Sequence, residues 1–180
     1  MKTLTLLRHA KSGDDEFALC DFDRALNDKG RRAARAIGAR LRALDYRFDR
    51  IVASPAQRVA ETVEEAGSAY GRAVAPHWDR RLYLASCQTL LDVARETPDE
   101  VEHLLIVAHN PGLAQLVLAL VPGSPDAARD RVVEKYPTAS VAAMTLAVDH
   151  WADAAPGTAR LDAFIRPRDL DPALGPEVTA

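Results

Sequence analysis

An α/β fold built on a largely parallel sheet is predicted for this chain of 180 residues. Three observations predict it. Apolar runs of strand length alternate with longer stretches at helical spacing, the pattern of strand–helix–strand units. The run Leu104-Leu105-Ile106-Val107-Ala108 is continuously apolar, so it expects burial on both faces and helices on each side of the sheet. Two strand-like runs lead straight into helix-start signals, Ser54-Pro55 and Asn110-Pro111.

Thr3 to Leu7 reads as a first buried strand, with Arg8-His9 at its carboxyl end. Residues 13–26 are polar and rich in aspartate, and read as a loop of surface charges. Asn27 caps a helix that places Asp28 in its first turn, where a negative charge is favoured. Ala34, Ile37, Leu41 and Leu44 share one face of it, and Arg31, Arg35 and Arg42 the other. Arg50 to Ala53 is a second strand. The following helix starts on Ser54 as cap, Pro55 at the first position and Gln57 as capping-box partner. Val59, Val63, Ala66 and Tyr70 form its buried stripe. Ala73-Val74-Ala75 is read as a third strand, and Thr89 to Glu96 as a helix stopped by Pro98. After the 104–108 strand comes a helix with Leu113, Leu116, Val117 and Leu120 inward, then a short helix over 127–135. Val141 to Val148 and Arg160 to Ile165 are the last strands, and the residues after Pro167 read as an irregular tail.

The length suits a single domain over residues 1–180 with a substantial core. With 48% apolar and 27% charged residues the composition is that of a soluble globular protein. A net charge of −3 argues against a nucleic-acid binder, whose affinity rests on surplus lysine and arginine. The charge is unevenly spread. Residues 1–60 hold 13 basic against 8 acidic residues, net +5, and the remainder 10 against 18, net −8. The half with Arg8 and His9 is therefore the electropositive one, which suits an anionic substrate. Cys20 and Cys87 have no metal-ligand spacing, and a reduced, cytoplasmic protein is expected. The six residues before Arg8-His9 that follow Met1 are too few for a signal peptide, and the apolar region 113–121 is too short to span a bilayer.

Three apolar strands each end in a residue type that binds phosphate. The first ends in Arg8-His9, the second in Ser54 with Arg58 behind it, and the 104–108 strand in His109. Parallel strands would bring these ends to one edge of the sheet, where open α/β sheets bind ligands. Arg58 lies near the start of its helix, where the dipole disfavours a cation, so an anion bound beside it would explain its place. His9 is then the candidate nucleophile, and Arg8, Arg58 and His109 the candidate phosphate ligands. Ser12 fits either a turn cap or a further phosphate ligand; Lys11 reads as solvated. His77, His103 and His150 read as structural.

Several segments resemble one family. Arg8-His9-Ala10-Lys11-Ser12 is similar to the Arg-His motif of the histidine phosphatase superfamily, the phosphoglycerate mutase-like group. The set Asp21-Phe22-Asp23-Arg24, Ser54-Pro55-Ala56-Gln57-Arg58, His109-Asn110-Pro111-Gly112 and Phe164-Ile165-Arg166-Pro167-Arg168 resembles its small SixA-like phosphohistidine phosphatases. The resemblance spans nearly the whole chain. It implies a three-layer α/β/α sandwich and a metal-independent phosphatase without a cofactor. His9 would carry the phosphoryl group, with Arg8, Arg58 and His109 holding its oxygens; His109, when protonated, would be a third cationic donor. Larger relatives place a proton-donating glutamate after an Arg-Leu-x stretch, and Arg81-Leu82-Tyr83-Leu84 here offers Leu84. That departure favours cleaving N–P over O–P bonds, since imidazole leaves more readily than alkoxide. Asp21, Asp23 and Tyr83 are the alternative proton donors, or none is used.

The expected partner is therefore a protein carrying phosphohistidine, handled by a monomer. A phosphatase for a small phosphorylated metabolite would use the same four residues. A non-catalytic phosphate-binding regulatory module is the reading from another class, and the intact His9 speaks against it. No P-loop, zinc-protease or nucleophile-elbow pattern is present.

Overall fold

The computed structural model describes residues 1–13, 20–73, 75–123 and 127–176. Its centre is a mixed six-stranded sheet of β1 (Lys2–Arg8), β2 (Arg50–Ala53), β3 (Pro76–Trp78), β4 (His103–Ala108), β5 (Val141–Leu146) and β6 (Ala159–Ile165), in the order β3-β2-β4-β1-β5-β6. The first four strands in that order run parallel. β5 runs against β1, and β6 against β5. Only β5 is therefore reversed, which meets the expectation of a largely parallel sheet.

β4 feeds two cores. Leu104, Ile106 and Ala108 face one side of the sheet and Leu105 and Val107 the other. The first side packs α3 (Cys87–Arg95), α4 (Gly112–Leu120) and α5 (Ala127–Glu134), through Leu90, Leu116, Val132 and the fully buried Trp151. The second packs α1 (Asp28–Ala43) and α2 (Gln57–Tyr70), through Ile37, Leu41, Val59 and Tyr70. Each buried leucine or isoleucine of this kind contributes about 1.5–3 kcal/mol over leaving it exposed. The result is the three-layer sandwich.

α1 begins as its sequence dictates, with the Asn27 side chain accepting from the Gly30 N–H at 2.8 Å. It packs unusually close to α2, because a Cβ on Gly38 would lie 2.0 Å from the Ala66 carbonyl oxygen. That approach lets Arg31 reach Glu61 and Glu65 at 3.1 and 3.2 Å.

Several elements depart from the sequence reading. The third strand lies at Pro76–Trp78, after Ala73 and Ala75, and Val74 is outside the described residues. Its register is imposed by β2, which pairs Ile51 with Pro76 and Val52 with His77. As an edge strand it tolerates the proline that lacks an N–H, and its Trp78 stays exposed. Leu44 sits beyond α1 and is exposed. The tail read as irregular carries α6 (Pro167–Leu170) and a 3₁₀ turn at Pro172–Leu174. Arg166 and Asp169 close a capping box at the start of α6, and Leu170 and Leu174 pack on the α1–α2 side of the core. Among the described residues no helix is long and apolar enough to cross a membrane.

Candidate active site

The register of the parallel strands brings the three strand ends together. Arg8 pairs with Ala108, and Ala53 with Val107. Beyond them the His9 N–H donates to the Ala108 carbonyl at 3.1 Å and the Ser54 N–H to the Val107 carbonyl at 3.0 Å. His9, Ser54 and His109 thus leave the sheet side by side, and the His9 and His109 rings stand 5.2 Å apart.

His9 is buried, with its Nδ1 2.8 Å from the Ala10 carbonyl oxygen. A carbonyl only accepts, so Nδ1 carries the proton and the Nε2 lone pair is free. Burial pulls the His9 pKa down to about 3, with Arg8, His109 and Arg58 pushing the same way against the Ala10 hydrogen bond. The ring is neutral at any ordinary pH.

Arg58, at the second position of α2, is only 4% exposed. It donates through Nη1 to the Asp21 carbonyl at 2.6 Å and through Nη2 to the Asp21 carboxylate at 2.9 Å. Nη2 also lies 3.3 Å from Nδ1 of His109. A guanidinium cannot accept, so His109 keeps Nδ1 unprotonated and donates from Nε2 to Ser54 Oγ at 2.8 Å. Burial, then the charge on Arg58, pulls His109 down to about 4. His109 is therefore neutral here, and not the cationic donor its protonated form would be.

The Ser54 hydroxyl is shared: it accepts from His109 Nε2 at 2.8 Å and, more weakly, from the Ala56 N–H at 3.4 Å, and α2 starts late, at Gln57 after Ala56. α4 likewise starts one residue later than Pro111 would set it, although Asn110 Oδ1 still accepts from the Ala114 N–H at 3.3 Å.

Arg8 is half-buried at the end of β1. Its Nη1 donates to the Tyr136 carbonyl at 2.7 Å, and its Nε is buried without a partner. Burial lowers its pKa from the ordinary arginine value, Tyr136 opposes, and Arg58 adds to the fall. Ser12 is half-buried beyond His9, where its backbone bridges to Leu26 and its carbonyl accepts weakly from Asn27 at 3.5 Å. Asn27, not Ser12, is the cap, and none of these bonds joins Ser12 to Arg8, His9, Arg58 or His109. Lys11 is exposed.

Three further side chains belong to the site. Asp21, expected as a surface charge or a proton donor, is the counter-ion of Arg58. Its carboxylate also accepts from the Tyr83 hydroxyl at 2.8 Å. Tyr83 and Arg58 hold its pKa down at about 2, so it is ionised and a poor acid. Tyr83 stands edge-on to His109 with ring centroids 5.4 Å apart. Asp23 is exposed and accepts from Cys20 Sγ at 3.1 Å, and Leu84 is more than half exposed. Asp14 and Asp15 lie outside the described residues. Thr62 was not foreseen. Its hydroxyl, wholly buried, accepts from the Ala10 N–H at 2.9 Å and donates to the Arg58 carbonyl at 2.6 Å. It ties the segment after His9 to the first turn of α2. A polar residue on the buried stripe of an amphipathic helix was the available signal. Among the described residues no three metal-ligating side chains gather.

Known proteins share this arrangement of chain. The family model of the histidine phosphatase superfamily (branch 1) matches residues 4–83. A protein of Mycobacterium tuberculosis is 36% identical over 165 residues, covering 90% of this chain and 100% of its own. One of Mycobacterium leprae is 33% identical over 169 residues, with the same coverage of 90% and 100%. Among solved structures, a Nakamurella multipartitia protein provisionally described as the phosphohistidine phosphatase SixA superposes with a TM-score of 0.81 at 27% identity, over 92% of this chain and 96% of its own. An Agrobacterium tumefaciens protein with the same provisional description gives 0.78 at 26%, over 92% and 98%.

Proposed function

The chain belongs to the histidine phosphatase superfamily and is a phosphatase, and we propose that it acts through a phosphohistidine on His9, with phosphohistidine of another protein as substrate. The observation that carries the reading is the state of His9. A neutral imidazole, fixed by Nδ1–H on the Ala10 carbonyl, presents the Nε2 lone pair beside two arginines. Arg8 and Arg58 match phosphoryl oxygens with fork geometry and stabilise the charge of the in-line transition state. A phosphoryl dianion in front of them favours the protonated form of His109, which then adds its own charge.

In the first step Nε2 of His9 bonds to phosphorus and the bond from phosphorus to the leaving group breaks, with its electron pair going to that group. In the second, water attacks phospho-His9, releasing inorganic phosphate and returning neutral His9. An alkoxide leaving group needs a proton in the first step. Asp21, the carboxylate held at the site, is ionised by its partners Arg58 and Tyr83 and is a poor source. A phosphohistidine ring protonated by solvent on its other nitrogen leaves as neutral imidazole and needs no donor in the site, which supports phosphohistidine over phosphate esters.

Treatment with phosphoramidate is expected to label wild-type protein once, at His9, and to leave His9→Ala unlabelled by intact mass. Labelling and turnover in the variant would remove His9 as nucleophile. Rates on a phosphohistidine protein are expected to exceed those on small phosphomonoesters. A strong preference for the ester would refute the substrate.

A further inference from the structure

The Arg166-Pro167-Arg168 segment has no role in that chemistry, yet it faces the site's near wall. A recess of about 460 Å³ opens between β1, α1, the loop after α5 and α6. Six of the residues lining it are cations: Arg8, Lys11, Lys29, Lys135, Arg166 and Arg168, and none is acidic. Arg8 and Lys11 flank His9 in the chain, so the recess adjoins the catalytic segment.

Most of the cations outside the recess have a carboxylate partner, although Arg32, Arg40, Arg42, Arg50, Arg80 and Arg129 form no ion pair among the described residues. Arg31 and Arg35 take Glu61 and Glu65, Arg72 takes Asp45, Arg81 takes Asp79 and Glu96, and Arg160 takes Asp162. The chain has 26 acidic residues for 23 basic ones, so carboxylates are not scarce. In the recess only Arg166 is matched, by Asp169 at 2.8 Å. Lys29 and Arg8 donate to neutral carbonyls, of Gly175 and Tyr136. Lys11, Lys135 and Arg168 form no ion pair among the described residues, and Arg8 Nε is buried without an acceptor. Like charges gathered in a concave wall repel one another and focus a positive field. An anion relieves the first and answers the second.

We infer that the recess binds a second anionic group of the substrate, a phosphate or carboxylate carried beside the phosphoryl group transferred to His9. The inference rests on the phosphatase reading for the word substrate, but the recess can be tested without turnover. An exposed lysine and a half-buried arginine are removed in the double variant Lys135→Gln/Arg168→Gln. A charge control, Arg47→Gln/Arg160→Gln, removes two exposed arginines elsewhere.

Isothermal titration calorimetry with inorganic tripolyphosphate and with citrate reads the affinity of each protein. His9→Ala is expected to bind at least one of these probes as wild type does, which separates the recess from catalysis. The recess variant is expected to lose about tenfold in affinity for that probe, as two such charged contacts allow, and the control to lose less than twofold. Tighter binding of tripolyphosphate names a phosphate as the second group, and tighter binding of citrate a carboxylate. If neither probe binds wild type, or the recess variant binds like the control, the inference is wrong. Failure of phosphoramidate to label His9, with tripolyphosphate or citrate binding intact, would instead overturn the phosphatase chemistry and leave the recess standing.

Discussion

Arg58 and Arg8 both press electrostatically on His9, but the fold holds them in opposite ways. Arg58 is almost wholly buried and meets a full counter-charge in Asp21, with the Tyr83 face beside it. Arg8 is half-buried and meets only a carbonyl dipole, with its Nε unsatisfied. One cation is neutralised and locked; the other is left in excess. A buried charge without a counter-ion is costly, and native structures keep one where a ligand will supply it. A phosphoryl group would therefore compete with Asp21 for Arg58, while Arg8 is open to it. The same excess continues from Arg8 into the cationic recess, whereas Arg58 is enclosed by its partners.

Exchanging each arginine should break this symmetry of function while exposing the asymmetry of stability. Arg8→Gln and Arg58→Gln are both expected to lower kcat by about 10²–10³, the usual effect of removing a donor from developing transition-state charge. Their thermal stabilities should diverge. Arg58→Gln loses charge-assisted hydrogen bonds to Asp21, about 1–3 kcal/mol. Arg8→Gln discards an uncompensated cation and should melt at or above the wild-type temperature. Calorimetric melting of the two variants checks the sign; a larger destabilisation by Arg8→Gln would overturn the account.

Smaller effects are expected from the groups that position these cations. Thr62→Val keeps the shape but leaves the Ala10 N–H without an acceptor, at about 1–3 kcal/mol. Because Thr62 acts through the His9 segment and Arg58, kcat should fall while KM for a phosphohistidine protein holds. Thr62→Ser, which retains the hydroxyl, should restore both rate and stability. A variant that loses only stability would make Thr62 structural. Asp21→Asn tests the lock itself. It keeps most of the hydrogen bonding but removes the competing charge, so the affinity for inorganic phosphate, read by calorimetry, should rise about two- to tenfold. Weaker phosphate binding would show that Asp21 orients Arg58 more than it competes.

This contrast also marks what the sequence could and could not disclose. Strands, helices and the convergence of Arg8-His9, Arg58 and His109 follow from local patterns, because a parallel sheet fixes where strand ends go. The partners do not. Arg58 finds Asp21 37 residues away, Ala10 finds Thr62 52 away, and Arg8 finds Tyr136 128 away. No local rule reports such pairings. Ser54 shows the conflict most clearly. Its chain neighbours make it a helix cap, and its hydroxyl does accept from the Ala56 N–H at 3.4 Å, but the shorter bond, at 2.8 Å, comes from a histidine 55 residues on. The third strand failed for a related reason, since an edge strand takes its register from its one neighbour rather than from its own apolar residues.

A further effect concerns protons. His9 and His109 are held neutral by burial and by neighbouring cations, at about 3 and about 4. Their pKa values lie below the unfolded value near 6.5, so between those limits the unfolded chain binds more protons. The stability due to these rings is complete above pH ~6.5 and falls as pH drops toward 4. At pH 5 each costs about 2 kcal/mol relative to pH 8. His150, exposed and paired with Asp99 at 2.8 Å, is shifted the other way. In NMR titrations the Cε1 protons of His9 and His109 should stay flat from pH 8 to 5, while that of His150 moves within this range. His9→Gln should flatten the acid loss of stability measured by denaturant melts. If His9 instead titrates near 6.5, its ring is not desolvated, and the neutral nucleophile between a locked and an open arginine has to be given up.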